Sequence, residues 1–322
     1  MSKLVSHYFK VHPFKTMKYK TLFARFAGKV YVFGRKMAKI VYFSTIYNIK
    51  RLYFVYMSNF RPPMSESSDI IISLTSYPGR IDNAWLAIES LFWQTYTYNS
   101  IVLVLSTQEF KGRELPKSIR QQIRRGLKIL WTDQIFMSFG KFIPASQEYH
   151  EKYIVTFDDD IIYEKWRLEK LVRMSRKYPN AIIGHRGYVI PINNGVISEC
   201  YNAWLRANIK TPSDRCFLTG VGGIIYPINK ELRDKMSNYT IASQLCPAAD
   251  DIWFWYCAVE TCIELICLGI NDLNHEKEQL KGPGLWQTNC LENKNDAQLL
   301  SLLEVYGESL NLKPYGHFSL ND

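Results

Sequence analysis

The sequence predicts an α/β protein built on a mostly parallel sheet, and three observations carry the prediction. From Ile70 onward, continuous apolar runs alternate with amphipathic stretches, the pattern of parallel strands covered by helices on both faces. A Pro/Ser-rich breaker, "FRPPMSESSD" from Phe60 to Asp69, sets that body apart from what precedes it. The preceding arm, residues 1–65, holds the excess positive charge: 13 Lys and Arg with no acid before Glu66.

Taken in order, "IIISLTSY" (Ile70 to Tyr77) reads as a strand and "IDNAWLAIESLFWQ" as a helix with Ala84, Ile88, Leu91 and Phe92 along one face. "SIVLVLS" is a strand, "LPKSIRQQIRRG" a helix closed by Gly126, and "LKILWT" a strand. A helix from about Pro144 leads into the strand "YIVTF". The second half is less regular. "EKWRLEKLVRMSRKY" is a helix with Leu168, Leu171 and Val172 inward, followed by strand-like "AIIGHRGYVIP" and Gly-rich "LTGVGGIIYP". Helices follow around "NKELRDKM" and from "ADDIWFWYCAVE", then a strand in "CIELICLGI" and a closing helix "NDAQLLSLLEVYGE". The architecture expected is a nucleotide-binding-like half completed by a mixed half that closes a cleft.

Charge excludes one class of partner. Of the 322 residues, those after the arm hold 27 basic and 30 acidic side chains, a net charge of −3 within a whole-chain +10. A groove tracking a phosphate backbone needs cations on the folded body, so no nucleic acid is expected. The arm has neither the short basic start nor the cleavage site of an export signal. Its best apolar stretch, Ile40 to Phe60, is broken by Lys50 and Arg51, short of the ~18 uninterrupted residues of a spanning helix. Tyrosine, phenylalanine and cations together suit a membrane–water interface. Residues 1–65 are therefore expected on an anionic membrane surface, with the protein cytoplasmic and peripheral on the inner face of the plasma membrane. The alternative is a helical appendage packing its aromatics on the body. Seven scattered cysteines, odd in number and without a C-x-x-C pair, fit a reducing compartment.

The chemistry gathers at "KYIVTFDDDIIY", Lys152 to Tyr163. Three adjacent carboxylates repel one another unless a cation sits among them, and in an open parallel sheet ligands bind at the carboxyl ends of strands. Side chains alternate along extended backbone, so Asp158 and Asp160 are expected on one side and Asp159 on the other. Two hard carboxylates on one side suit Mn²⁺ or Mg²⁺. A solvated acidic turn is the alternative, weakened by the apolar residues on both flanks.

"TFDDDIIY" resembles the D-x-D motif of GT-A-fold glycosyltransferases. "ISLTSYPGRI", "GVGGIIYP" and "CPAADDIWFWY" are similar, in the same order, to motifs of a bacterial, family-2-like subgroup that builds surface polysaccharides. D-x-D alone is a weak signal; four ordered motifs over roughly residues 68–300 are fairly specific. The resemblance implies a GT-A-type nucleotide-diphospho-sugar transferase fold over residues 66–322, with 66–185 the nucleotide-sugar-binding half and 186–322 the acceptor-binding, catalytic half. It further implies a UDP- or GDP-linked donor, a glycan or lipid-linked acceptor of lipopolysaccharide or capsule, and a Mn²⁺ or Mg²⁺ cofactor.

By that resemblance Asp160 meets the metal, Asp158 the metal or donor sugar, and Asp159 the donor. Thr75, Ser76, Tyr77 and Arg80, in the loop after the first strand, contact the nucleotide; the bland alternative is a Pro-Gly turn with a solvated arginine. Lys141 resembles a residue lining the donor pocket, against a solvated surface lysine. Gly220, Gly222 and Gly223 lack dinucleotide-fingerprint spacing, and a strand follows where a helix should; Gly222 and Gly223 are expected in an acceptor or sugar loop, against a plain bend. Asp250 and Asp251 open a helix, where a carboxylate serves as cap or dipole partner. The resemblance makes one of them the general base, Asp251 ahead of Asp250, in a single inverting displacement. The usual Glu-Asp form of the motif is absent, however. His275 is a candidate third metal ligand against an exposed loop histidine. Trp253 and Trp255 are read as core before acceptor platform.

Two other functions compete. A haloacid-dehalogenase-like Mg²⁺-dependent phosphohydrolase also places an aspartate pair after a strand, but in an N-terminal first strand with Thr or Val following; here Ile161 follows in mid-chain. A non-catalytic membrane-associated sugar-nucleotide-binding module is the non-enzymatic reading.

Overall fold

The computed structural model describes residues 41–269 and 293–310, apart from residues 43, 63, 66, 67, 151, 209, 214 and 228. Four apolar runs become parallel strands: Ile70–Thr75 (β1), Ser100–Ser106 (β2), Leu127–Thr132 (β3) and Tyr153–Thr156 (β4). Ile81–Phe92 (α1), Lys117–Arg124 (α2) and Ile143–Glu148 (α3) link them. Strand β2 is buried at every position, which is why its sequence runs apolar without alternating.

The second half comprises Arg167–Lys177 (α4), Ile182–Val189 (β5), a ribbon of Ile192–Asn193 (β6) and Val196–Ile197 (β7), and Leu205–Arg206 (β8). Then come Cys216–Pro227 (β9), Lys230–Met236 (α5), Tyr239–Leu245 (α6), Asp250–Glu260 (α7), Leu265–Cys267 (β10) and Lys294–Tyr306 (α8). The short ribbon and α6 carry no periodicity of their own in the sequence.

The strands form one sheet ordered β10-β5-β9-β4-β1-β2-β3, with β8 pairing β5. Strand β9 runs antiparallel to both β4 and β5, so all other strands of the main path share one direction. This is the mostly parallel α/β sheet with a mixed second half that the GT-A motifs imply. A division at 185/186 falls inside β5, and the sheet runs across it: β9 pairs with β4 on one edge and with β5, which straddles the division, on the other.

Alternation along β1 sends Ile70, Ile72 and Leu74 into one core and Ile71 into the other. The first core includes the apolar stripe of α1; the second includes Phe139, Phe142 and Phe254. Full burial of each such side chain contributes ~1.5–3 kcal/mol.

The chain divides into two compact units, residues 1–53 and 54–322. Residues 44–57 are helical. Residues 54–60 belong with the body: Phe54 is buried, and the Arg125 guanidinium donates to the Phe60 and Met57 carbonyls at 2.9 and 3.4 Å while ion-pairing with fully buried Glu89. Among the described residues no helix is long and apolar enough to cross a membrane.

Candidate functional site

Strands β1 and β4 are neighbours, with Ser73 opposite Thr156, so their carboxyl ends deliver two loops to one place. From β1 comes the turn Tyr77-Pro78-Gly79-Arg80, closed by the Arg80 N–H donating to the Tyr77 carbonyl at 2.9 Å. Pro78 presets the φ such a turn needs. Arg80 then stands just before α1, and its guanidinium crosses to the β4 loop. There Nη2 lies 2.9 Å from Asp159 Oδ1 and also pairs with Asp160 Oδ2.

Asp158 has a different partner. The Lys141 ammonium, at the end of a short 3₁₀ turn (Met137–Lys141), lies 3.2 Å from Asp158 Oδ1 and 3.1 Å from Asp250 Oδ2. The expected alternation therefore fails. Strand β4 ends at Thr156, Asp159 and Asp160 lie in a turn, and these two share one cation while Asp158 faces another. Lys141 is a buried charge and not a solvated one.

Asp250 and Asp251 are the first two residues of α7. Neither caps it: the N-cap position is Ala249, without a side-chain cap bond. Asp251 instead accepts from the Gly220 N–H, at 3.2 Å to Oδ1 and 3.4 Å to Oδ2. Among the described residues, five aspartates, Asp158, Asp159, Asp160, Asp250 and Asp251, thus gather with two cations, Arg80 and Lys141.

The imbalance shows in their protonation. Burial pushes the Asp159 carboxyl up to about 6 against the pull of Arg80. Burial, with Asp250 alongside, raises Asp251, and Lys141 opposes the shift. Burial alone would lower the Lys141 ammonium, but Asp158, Asp250 and Asp251 outweigh it and hold it well above its ordinary range.

Carboxylate oxygens are the donor type that hard divalent cations take. The oxygens are hard, and among the described residues their negative charge exceeds that of the cations they pair with. Among the described residues no group of three or more Asp, Glu, His or Cys side chains is arranged to hold a metal ion; Arg80 pairs with Asp159 and Asp160, and Lys141 with Asp158. His275 lies outside the described residues.

The glycines divide differently from expectation. Gly222 and Gly223 lie within strand β9, not in a loop, at φ +104° and +98°. A Cβ on Gly223 would fall 2.3 Å from the Phe157 ring, and one on Gly222 would fall 3.1 Å from His185 Cβ, so both serve close packing. They belong to a bulge: Ile224 pairs with Gly184 and Thr219 with Arg186, leaving four residues of β9 against His185 alone. The bulge starts just beyond Thr156, where β4 gives way to the aspartates. It carries Gly220 to the site, where a Cβ would lie 2.6 Å from Lys141 Nζ and 3.5 Å from Asp158 Oδ1.

Of the remaining candidates, the Thr75 hydroxyl donates to the Val104 carbonyl at 3.0 Å, Ser76 is buried, and Tyr77 is half-buried at the start of the turn. Trp253 and Trp255 are both core residues, and the Trp253 indole N–H donates to the Met236 carbonyl. Tyr163 escaped the sequence reading, and Gly220, named there together with Gly222 and Gly223, was not singled out. The Tyr163 hydroxyl accepts from the Asp158 N–H at 2.9 Å, and its ring packs edge-on to Phe157, pinning the start of the aspartate run. A tyrosine five residues past the first aspartate was the available signal; for Gly220, only its place among three glycines.

No protein-family model matches this sequence, and no curated protein matches it. Among solved structures, the chain is similar to Staphylococcus aureus TarS in complex with UDP, at 10% identity and TM-score 0.43, over 75% of this chain and 69% of that one. It is similar also to a Pyrobaculum calidifontis mannosyltransferase in complex with GDP-Man and Mn²⁺, at 10% identity and TM-score 0.41, over 84% and 86%. A third is 4-diphosphocytidyl-2C-methyl-D-erythritol synthase from Anaerococcus prevotii, at 8% identity and TM-score 0.41, over 62% and 87%. Likeness at this level carries no argument about chemistry, which rests on the carboxylates and cations themselves.

Proposed function

We propose that this protein is a divalent-metal-dependent glycosyltransferase. It moves a sugar from a UDP- or GDP-linked donor to a glycan or lipid-linked acceptor of cell-surface polysaccharide, with inversion at the anomeric carbon. One observation carries the reading: the aspartate turn, Arg80, Lys141 and Asp251 converge at the carboxyl ends of adjacent parallel strands.

The turn of Thr75, Ser76, Tyr77 and Arg80 holds the nucleotide diphosphate. A planar guanidinium suits phosphate oxygens. Asp160, with Asp158, would hold Mn²⁺ or Mg²⁺, which would supply charge neutralisation for the departing diphosphate. Asp251, kept in place by the Gly220 N–H, takes the acceptor hydroxyl's proton. The freed oxygen forms the new bond to the anomeric carbon from the side opposite the diphosphate, which leaves with the electron pair of the bond it breaks. Lys141 neutralises Asp158 and Asp250 beside this path. The phosphohydrolase alternative fits less well, since the aspartates follow the fourth strand and not the first.

The same reading keeps residues 1–65 on anionic lipid at the cytoplasmic face, near a lipid-linked acceptor. Support comes from their 13 cations and from the exposure of Val41, Tyr42, Ile49, Leu52 and Tyr53. The test of function is a screen of UDP- and GDP-sugars for metal-dependent hydrolysis without acceptor, repeated with Asp160→Asn. Turnover that requires Mn²⁺ or Mg²⁺ and is lost in the variant is expected. Full activity in excess EDTA overturns the metal role, and inertness toward every nucleotide sugar overturns the enzyme.

A further inference from the structure

We infer that Arg186 and Tyr188 form an anion subsite on the acceptor side of the site, so that the acceptor carries a phosphate or carboxylate close to the hydroxyl that reacts. The inference rests on the glycosyltransferase reading and adds to it the chemical class of the acceptor.

Across the sheet the strands run β1, β4, β9, β5. Arg80 comes from the turn after β1, the three aspartates follow β4, Gly220 lies on β9 and Arg186 on β5. Gly220 holds Asp251, so along the sheet Arg80 lies on one side of the Gly220–Asp251 contact and Arg186 on the other. Arg186 is opposite Thr219, the residue before Gly220, and opposed side chains of an antiparallel pair share a face. Two residues on, Tyr188 is opposite Phe217, whose ring meets that of Trp255 on α7 with 6.4 Å between centroids. Arg186 and Tyr188 therefore stand on the sheet face covered by α7, the helix whose first turn holds Asp251. Strand β1, whose turn serves the donor diphosphate, is three strand spacings from β5, about 14 Å.

Arg186 is paired unlike other cations withdrawn from water. Arg80, Arg125, Lys141 and Arg167 each meet a carboxylate. Half-buried Arg186 meets none among the described residues: its Nη2 donates to the Tyr188 hydroxyl at 3.1 Å, and its guanidinium lies 5.8 Å from the centroid of that ring. The Arg206 guanidinium, from the paired strand β8, lies 4.8 Å from the same centroid. A phenol oxygen engages one N–H donor of the guanidinium and supplies no counter-charge, which a partly desolvated cation favours. The planar fork that remains matches a phosphate or a carboxylate. The Tyr188 hydroxyl, while accepting from Arg186, keeps its own proton to donate to the same anion. An anion held here belongs to the acceptor and not to the donor, and it turns the accepting hydroxyl toward Asp251.

The probes are glucose 1-phosphate, glucuronic acid and glucose, offered to the full chain saturated with UDP or GDP so that the diphosphate position is filled. Binding is followed by saturation-transfer NMR for wild type, Arg186→Gln and Arg186→Lys, with melting temperatures to check folding. Wild type is expected to bind one of the anionic sugars about 10–100-fold more tightly than glucose, the worth of a charged hydrogen-bond pair. The tighter of the two names the anion. Arg186→Gln should lose that preference and bind all three sugars alike. Arg186→Lys, which keeps the charge but not the planar fork, should fall between. Anionic sugars that wild type binds no more tightly than glucose, or not at all, overturn the subsite, and this comparison needs no variant. A preference that survives Arg186→Gln places the anion elsewhere and also overturns it. Should Arg186→Gln fail to fold, an undiminished preference in Arg186→Lys does the same. In each of these cases nucleotide binding leaves the glycosyltransferase reading standing. Absence of UDP and GDP binding overturns both.

Discussion

Replacing Lys141 with methionine tests whether the carboxylate cluster depends on its buried cation. The ammonium lies 3.2 Å from Asp158 Oδ1 and 3.1 Å from Asp250 Oδ2, with 9% of its side chain exposed. At an effective dielectric of about 20, each contact is worth ~5 kcal/mol of attraction, much of it offset by the desolvation of the ammonium. Removing one partner of such a buried pair costs about 3–5 kcal/mol, because the other charges stay behind. At ~2–4 °C per kcal/mol for a domain of this size, the melting temperature should drop by about 6–20 °C. The loss should also depend on pH, in a direction the site dictates. Lys141 is held above its ordinary range, so its charge is complete in folded and unfolded chains across neutral pH and contributes no slope there. The slope comes from the aspartates. Asp251 is already raised above the ordinary value of 3.8, and without Lys141 the carboxylates repel one another more strongly. A carboxyl raised by folding favours the folded state while protonated, and that advantage is lost as pH rises through the raised value. The deficit of Lys141→Met should therefore be small near pH 5 and grow toward pH 8.5. The assay is thermal melting of both forms across that range, with EDTA present so that no metal replaces the lost charge. A drop below ~2 °C, or one equal at every pH, refutes the account.

Four further outcomes are expected. Asp251→Asn should bind UDP or GDP as wild type does and turn over about 10²–10⁴-fold more slowly, and wild-type kcat should rise with pH as the raised Asp251 carboxyl ionises; unchanged turnover would place the base elsewhere. Gly223→Ala combines φ +98° with a Cβ 2.3 Å from the Phe157 ring and should lower stability by ~1–3 kcal/mol. Gly220→Ala would put a Cβ 2.6 Å from the paired Lys141 ammonium and 3.5 Å from Asp158 Oδ1, so activity and melting temperature should fall together; unchanged activity contradicts the assigned role. Full-length protein should co-sediment with anionic but not neutral liposomes and be released by salt, at ~1 kcal/mol per cation near the surface, whereas a chain starting at Ser65 should stay in solution. Equal binding by both chains excludes the electrostatic arm.

Much of the fold could be read from local sequence because buried parallel strands write themselves as uninterrupted apolar runs. "LKILWT" and "SIVLVLS" match β3 and β2 to the residue. The stripe Ala84, Ile88, Leu91 and Phe92 marks the inner face of α1, and Pro78-Gly79 marks the turn before it. The place of the aspartates at a strand end was legible for the same reason. Periodicity is a property of neighbours in the chain.

What neutralises those aspartates was decided only in three dimensions. Arg80 is 79 positions before Asp159 and reaches it because β1 pairs with β4. Lys141 is buried between Asp158 and Asp250 because the 3₁₀ turn and the start of α7 meet there, and no local pattern separates a buried lysine from a solvated one. The alternation rule misplaced Asp159 because it holds only while the strand lasts, and β4 stops at Thr156. Gly220 could not be told from Gly222 and Gly223 until the β9 bulge set one beside Lys141 and the others against Phe157 and His185. Strand pairing and charge pairing couple residues far apart in sequence, and their energies depend on which groups share a buried volume; that is information the tertiary structure alone supplies.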